Sequence, residues 1–424
     1  TILPKAKVEQ GALARAAEDW RDLQVRPALL QELALKTLFL ESELSSRELA
    51  ARLKLSFRIT DQIIDQLRKE HLCEIKGLVG SIYRVAVSGQ GKERAVDLLA
   101  RNGYVGPAPV SLASYSQHVL AQSIRRTTVN PADTARIFQH LVLSEEALER
   151  IGTALVSGST LFLYGPPGTG KTAIAEALAA AFGDSIWIPY AVEVDGQIIT
   201  VFDPGIHRPL PVPDDHEYDQ RWVLCRRPLV IVGGELTIEM LDLQMNPTTK
   251  FYVAPPQMKA ANGVLVVDDF GRQRVRPEEL LNRWIVPLDR QMDLLALAGG
   301  KKFDIPFDVM VVFATNLELA QLGDDAFLRR MSSKIKMNYV SPEMFHRIFQ
   351  QIAGEYGVEY DATTTDYLID LLTQRYRQPL RPCYPRDILR QVAWSARYRG
   401  EAPRLDAVAL EKACNSCFVS AESV

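Results

Sequence analysis

The 424 residues are enough for about three domains of ordinary size. Lys and Arg number 49 against 52 Asp and Glu, and a net charge of −3 excludes any global attraction to nucleic acid or an anionic membrane. With 47% apolar and 24% charged residues the chain has a soluble globular composition, and no apolar run approaches the roughly 18 residues of a membrane-spanning helix.

Residues 1–25 read as a polar, alanine-rich tail. From Pro27 the pattern sharpens: Leu29, Leu30, Leu33, Leu35, Leu38 and Phe39 recur at helical spacing. Ser45-Ser46-Arg47-Glu48 has the form of a capping box. It opens a helix carrying Leu49, Ala50 and Leu53, and a third helix follows with Ile59, Ile63, Ile64 and Leu67 on one face. Cys73-Glu74-Ile75 and Ile82-Tyr83-Arg84-Val85, separated by a glycine turn, predict a β-hairpin, with a further helix from Gly91 to Arg101. Gly106-Pro107-Ala108-Pro109 marks a boundary, and residues 106–136 read as a linker with a helix near Tyr115 and a solvated Arg125-Arg126 pair. Leu141-Val142-Leu143 then leads into a helix with Ser144 as N-cap.

The most informative stretch follows. Leu161-Phe162-Leu163-Tyr164 predicts a buried strand, and Ala173 to Ala181 predict a helix. Between them lies Gly165-Pro166-Pro167-Gly168-Thr169-Gly170-Lys171-Thr172, the eight-position spacing of a phosphate-binding loop. Glycines let backbone N–H groups turn towards phosphate oxygens, and a helix N-terminus adds partial positive charge. Lys171 is suited to the β- and γ-phosphates, and the Thr172 hydroxyl to Mg²⁺.

Ser185 to Tyr190 read as a second core strand. The roughly 75 residues after it hold β-like runs and a proline-rich acidic loop. There His207, Asp214, Asp215, His216 and Glu217 suggest a metal, but the proline punctuation favours a solvated loop. Val264-Leu265-Val266-Val267 ends in Asp268-Asp269, the pattern of a buried strand whose C-terminal end faces a ligand crevice. In a nucleotide site Asp268 would hold Mg²⁺ and Asp269 would polarise the attacking water. A helix from Pro277, a hairpin around Gly299-Gly300 and a strand ending in Thr315-Asn316 come next. Arg329-Arg330 and an all-helical region from Ser341 follow, in which Tyr384-Pro385-Arg386-Asp387 opens a helix. The odd, sparse set of five cysteines suggests free thiols in a reducing compartment, and Cys414-Asn415-Ser416-Cys417 has no second pair to build a zinc site. With no signal-peptide pattern at the start, a cytoplasmic location is expected.

In this order the motifs resemble the AAA+ ATPase superfamily over about residues 137–424. Residues 165–172 look like its Walker A motif, residues 265–269 like Walker B, and Asn316 like sensor 1. Arg329 and Arg330 match the arginine-finger region, Arg386 matches sensor 2 of the helical lid, and residues 299–305 look like a pre-sensor-1 hairpin. The long insert before Walker B is similar to the helix-2-insert group, which includes MoxR-type chaperones and magnesium-chelatase subunits.

The resemblance implies an α/β P-loop core with a parallel sheet (137–340) and a helical lid (341–424), with ATP between them and Val142 near the adenine. It also implies Mg²⁺, and a homo-oligomeric ring, by family default a hexamer, that remodels or assembles a protein partner. Residues 26–105 resemble a small winged-helix domain in shape. Its third helix sets Arg58, Arg68 and Lys69 against Asp61, Asp65 and Glu70, and residues 1–120 hold 17 basic against 14 acidic residues. That balance favours a protein contact over DNA reading. A DNA-directed regulator or loader is the competing class. A third follows from Asp269 standing where the family has Glu: a displacement of ~1 Å can cost roughly 10²-fold in rate, so the chain could be a slowly hydrolysing ATP-dependent switch.

Overall fold

The structure, a computed structural model, describes residues 17, 19–79, 82–212, 218–318 and 331–418. The fold is α/β. It divides into two compact units: Thr1–Thr127 with Phe182–Val266 and Gln273–Val311, and Thr128–Ala181 with Val267–Arg272 and Val312–Val424. None of the helices among the described residues is long and apolar enough to cross a membrane.

In the first unit, Pro27–Glu41 starts with proline in its first turn, where the missing N–H costs nothing. Ser45 and Glu48 close a reciprocal capping box on Ser46–Leu53, with bonds of 3.2 and 2.7 Å. Ser56 caps Phe57–Lys69 through the Ile59 N–H. Glu43–Ser45 pairs antiparallel with Ile82–Val87, which pairs antiparallel with Cys73–Val79. The expected helices and hairpin are therefore present, with one short extra strand.

These elements do not close a core by themselves. Leu33, Leu49, Ile64 and Val85 share one buried cluster with Ala191 and Ile198 from the long insert. Arg26 pairs with Glu193 at 3.5 Å, Gly103 N–H donates to the Thr249 carbonyl at 2.7 Å, and Lys250 Nζ donates to the Ala100 carbonyl at 2.6 Å.

The insert differs from its sequence reading. Ser185–Pro189 is no strand of the parallel core; it pairs antiparallel with Trp222–Arg226. Leu229–Val232 instead lies beside Val264–Val267, which neighbours Met310–Thr315. Short apolar runs of this kind carry no information about their partners. Ala191–Val194 and Gln197–Thr200 form a hairpin whose turn, Asp195-Gly196, has φ of 51° and 79°, the two positive values that suit a two-residue hairpin. Val110–Ser111 adds to Ala191–Val194 in parallel, so residues after the Gly-Pro boundary are built into a sheet.

Arg125 is likewise no solvated spot. It pairs with Asp308 at 2.9 Å, and Asp308 is only 5% exposed. The same carboxylate accepts from Ser123 Oγ (2.8 Å), Ile124 N–H (2.9 Å) and Asn262 Nδ2 (2.6 Å). A buried charge persists only when its lone pairs are satisfied in this way. Met292–Ala296 and Lys302–Pro306 form the expected antiparallel hairpin.

In the second unit, Leu161–Tyr164 is flanked on both sides. Residues 312–315 pair with it in parallel on one edge, and Ser333–Lys336 pairs in parallel on the other. Phe162, Phe270 and Phe313 pack as a ring cluster with centroids 5.0–6.1 Å apart. The C-terminal region is helical: Pro342–Glu355, Ala362–Asp370, Tyr384–Arg399 and Ala407–Cys417 close over Phe345, Phe349, Leu368, Ile388 and Leu410.

Asp308→Ala should destabilise the first unit by about 3–5 kcal/mol, because Arg125 and Asn262 lose their buried acceptor. Chemical denaturation followed by tryptophan fluorescence checks this; an unchanged midpoint would show that the network contributes nothing net.

Candidate nucleotide-binding site

The site lies where Leu161–Tyr164 ends and Lys171–Ala181 begins. Three glycines between them have positive φ: Gly165 at 130°, Gly168 at 77° and Gly170 at 88°. Each adopts backbone that side chains resist. A Cβ on Gly165 would overlap the Met337 carbonyl oxygen, so the loop lies against the chain leaving Ser333–Lys336. A Cβ on Gly168 would stand 2.7 Å from Cys383 Sγ and 3.4 Å from Arg381 Cδ. At Gly170 nothing lies within 4 Å. The loop is thus walled at Gly165 and Gly168 and open at Gly170.

Lys171 lies buried in this loop. Its ammonium donates to the carbonyls of Gly165 (2.9 Å) and Pro166 (2.8 Å). Burial pushes its pKa below the ordinary lysine value, against the opposing pull of Asp268 and Asp269. The Thr169 hydroxyl also donates to Pro166 O, at 2.9 Å, while Pro167 is exposed.

The carboxylates converge on the same place. Thr172 Oγ1 donates to Asp268 Oδ2 at 3.0 Å. Hydroxyl and carboxylate oxygens are the hard donors that Mg²⁺ takes, so this pair fits that ion. Asn316 Nδ2 donates to Asp269 Oδ1 at 3.1 Å. Asp269 has φ of 48°, a left-handed conformation that Asp tolerates better than most side chains. Phe270 anchors the turn: its N–H donates to Ala314 O at 2.8 Å, and its carbonyl accepts from Thr315 Oγ1 at 2.6 Å. The expected sensor and carboxylate positions are thereby brought together.

Val142 and Arg386 are engaged with the C-terminal helices. Val142 packs, partly buried, against the core of the C-terminal helices. Arg386, 56% exposed, pairs with Glu355 at 3.3 Å. Arg329 and Arg330 lie outside the described residues. Sequence reasoning passed over Arg381 and Cys383, whose Cys383 N–H donates to Gly168 O at 3.3 Å. No local pattern marks them, and only their place before the Arg386 helix could have drawn notice. His207 is buried and bonded to the Asp203 N–H and the Lys259 carbonyl, whereas residues 214–217 lie outside the described residues. Cys414 and Cys417 are free thiols, and among the described residues no cluster of three or more His, Cys, Asp or Glu could hold a metal.

Residues 161–202 match the family model of the ATPase family associated with various cellular activities (AAA). Residues 341–416 match a second one, a domain of unknown function (DUF8689). Among solved structures, the chain is similar to NtrX from Brucella abortus, with 16% identity and a TM-score of 0.40 over 65% of this chain and 55% of that one. It is similar to the same protein in complex with ATP, with 16% identity and a TM-score of 0.38 over 69% and 58%. It is also similar to the RuvB Holliday junction branch migration motor of Thermotoga maritima, with 13% identity and a TM-score of 0.39 over 69% and 73%. The chain therefore spans little more than half the length of NtrX. No curated protein matches it. The AAA match falls on the loop whose geometry is described above.

Asp269→Asn keeps a side chain suited to positive φ and should leave the thermal midpoint unchanged. Asp269→Glu places a longer chain in the same strained backbone and should lower the midpoint by a few degrees, the equivalent of roughly 1 kcal/mol. A thermal melt with Glu equal to Asp would show that this backbone imposes no choice of side chain.

Proposed function

We propose that this protein binds ATP with Mg²⁺ and hydrolyses it, and that it works as a ring of identical subunits on a protein partner. The observation that carries the reading is the convergence of two bonded pairs, Thr172–Asp268 and Asn316–Asp269, beside the glycine loop. The loop's backbone N–H groups and the start of the Lys171 helix would receive the phosphates, and Lys171 would exchange its two carbonyl acceptors for phosphate oxygens. Thr172 and Asp268 would hold Mg²⁺, which supplies charge neutralisation along the phosphates when bound. Asp269 would accept the proton of the attacking water, with Asn316 fixing its orientation.

Arg329 and Arg330 are our candidates for a cation given to a neighbouring subunit's site, with a role worth roughly 10³-fold or more in rate. The insert of strands between residues 190 and 263 supports placement near the helix-2-insert, MoxR-like branch. The strand and helix order of residues 27–101 supports a winged-helix reading of that region. Its basic residues are partly spent on acidic neighbours, Arg68 on Asp65 and Arg84 on Glu43, which favours a protein-contact role over DNA. A second reading, a slowly turning switch, is favoured by the short Asp269 side chain already bound to Asn316.

Lys171→Ala should reduce ATP affinity at least 100-fold in calorimetry; wild-type affinity would sink the nucleotide assignment. Asp269→Asn should bind ATP and release no phosphate. If it turns over at the wild-type rate, another residue is the base. Mixing Arg330→Ala with Lys171→Ala subunits should restore part of the ATPase rate lost in each alone, and full activity in a strictly monomeric preparation would contradict the ring.

A further inference from the structure

Among the described arginines, Arg381 lies against the glycine loop, outside the recognisable Pro-Arg-Asp motif. Arg386 is exposed and already engaged with Glu355, and Arg390 on the same helix is engaged with Asp387 at 3.0 Å. Arg381, on the chain leading into that helix, lies along the phosphate loop, with its Cδ 3.4 Å from the Cβ position of Gly168. The chain is pinned there by the Cys383 N–H on the Gly168 carbonyl. The Arg381 guanidinium faces the Tyr384 ring at 5.6 Å, which limits its orientation. Its Nε is enclosed and has no hydrogen-bond partner, and no ion pair of Arg381 occurs among the described residues.

An enclosed guanidinium donor without an acceptor is costly, and a planar cationic fork is the side chain that binds phosphate through paired bonds. The open Gly170 side of the same loop is where phosphates would enter. We propose that Arg381 is the lid arginine that binds the nucleotide's polyphosphate, and that Arg386 acts mainly through Glu355 to hold the lid helices together. The inference rests on the nucleotide reading of the site.

The test uses the full chain and calorimetry with two probes in the presence of Mg²⁺: ATP, and inorganic tripolyphosphate, which has no base or sugar. Arg381→Ala should weaken both by the same factor, about 10–100-fold. Arg386→Ala should lose clearly less, and Arg390→Ala should bind as the wild type does. The ligand-free thermal midpoint of Arg381→Ala, which loses only the Tyr384 ring contact, should fall no further than that of Arg390→Ala, which loses a ring contact with Trp394 and an ion pair; a purely structural role would lower the midpoint further and leave both affinities alone. If Arg381→Ala does not fold, Arg381→Gln keeps the stem without the charge and is read the same way. Wild-type affinity in the Arg381 variant, a loss for ATP alone, or an equal or larger loss in Arg386→Ala overturns the inference. In each of those outcomes Lys171→Ala still loses ATP and the nucleotide reading stands. Failure of the wild-type chain to bind either probe would instead remove that reading, and the inference with it.

Discussion

Backbone crowding at the phosphate loop is the constraint on which the second unit depends. Gly165 lies so close to the Met337 carbonyl that no side chain fits, and Gly168 meets Cys383 and Arg381 of the C-terminal helical region. The loop is therefore clasped by the edge strand's continuation and by the approach to the Tyr384 helix. Such contacts, with the Cys383 N–H on the Gly168 carbonyl, hold the loop backbone in place. Only glycine permits both the close approach and the positive φ.

The carboxylates depend on that same placement. The parallel register that sets Ala314 opposite Leu163 brings the end of the Asn316 strand level with the start of the loop. Phe270 then ties the Asp269 turn to Ala314 and Thr315 by two backbone-directed bonds, and its ring packs on Phe162 and Phe313. Apolar packing and polar geometry are thus joined in one residue. Lys171, held by two loop carbonyls and desolvated, supplies a fixed positive charge in the middle of the arrangement.

In the first unit the organising feature is a shared core. The N-terminal helices and hairpin bury Leu33, Leu49 and Ile64 in a cluster completed by Ala191 and Ile198. Arg26 on Glu193 and Gly103 on Thr249 add polar contacts around it. A small domain gains stability by borrowing apolar surface from a neighbour, because its own surface-to-volume ratio is unfavourable. The N-terminal helices and hairpin are thus built on the insert through this shared core.

The sequence by itself determined the loop, its glycines, Lys171, Thr172 and the carboxylate pair, because fixed spacing between a strand and a helix is local information. It also determined the early helices, whose Ser45–Glu48 box and apolar spacing need no distant partner. Tertiary structure decided what depends on residues far apart in the chain. Ser185–Pro189 left the parallel core for an antiparallel partner, and Leu229–Val232 stands beside Val264–Val267 instead. Arg125 found a buried Asp308, and Arg386 found Glu355. Arg381, in no motif, came to lie on the phosphate loop. Strand partners and ion pairs are chosen by packing across long sequence separations, and periodicity along the chain holds no record of that choice.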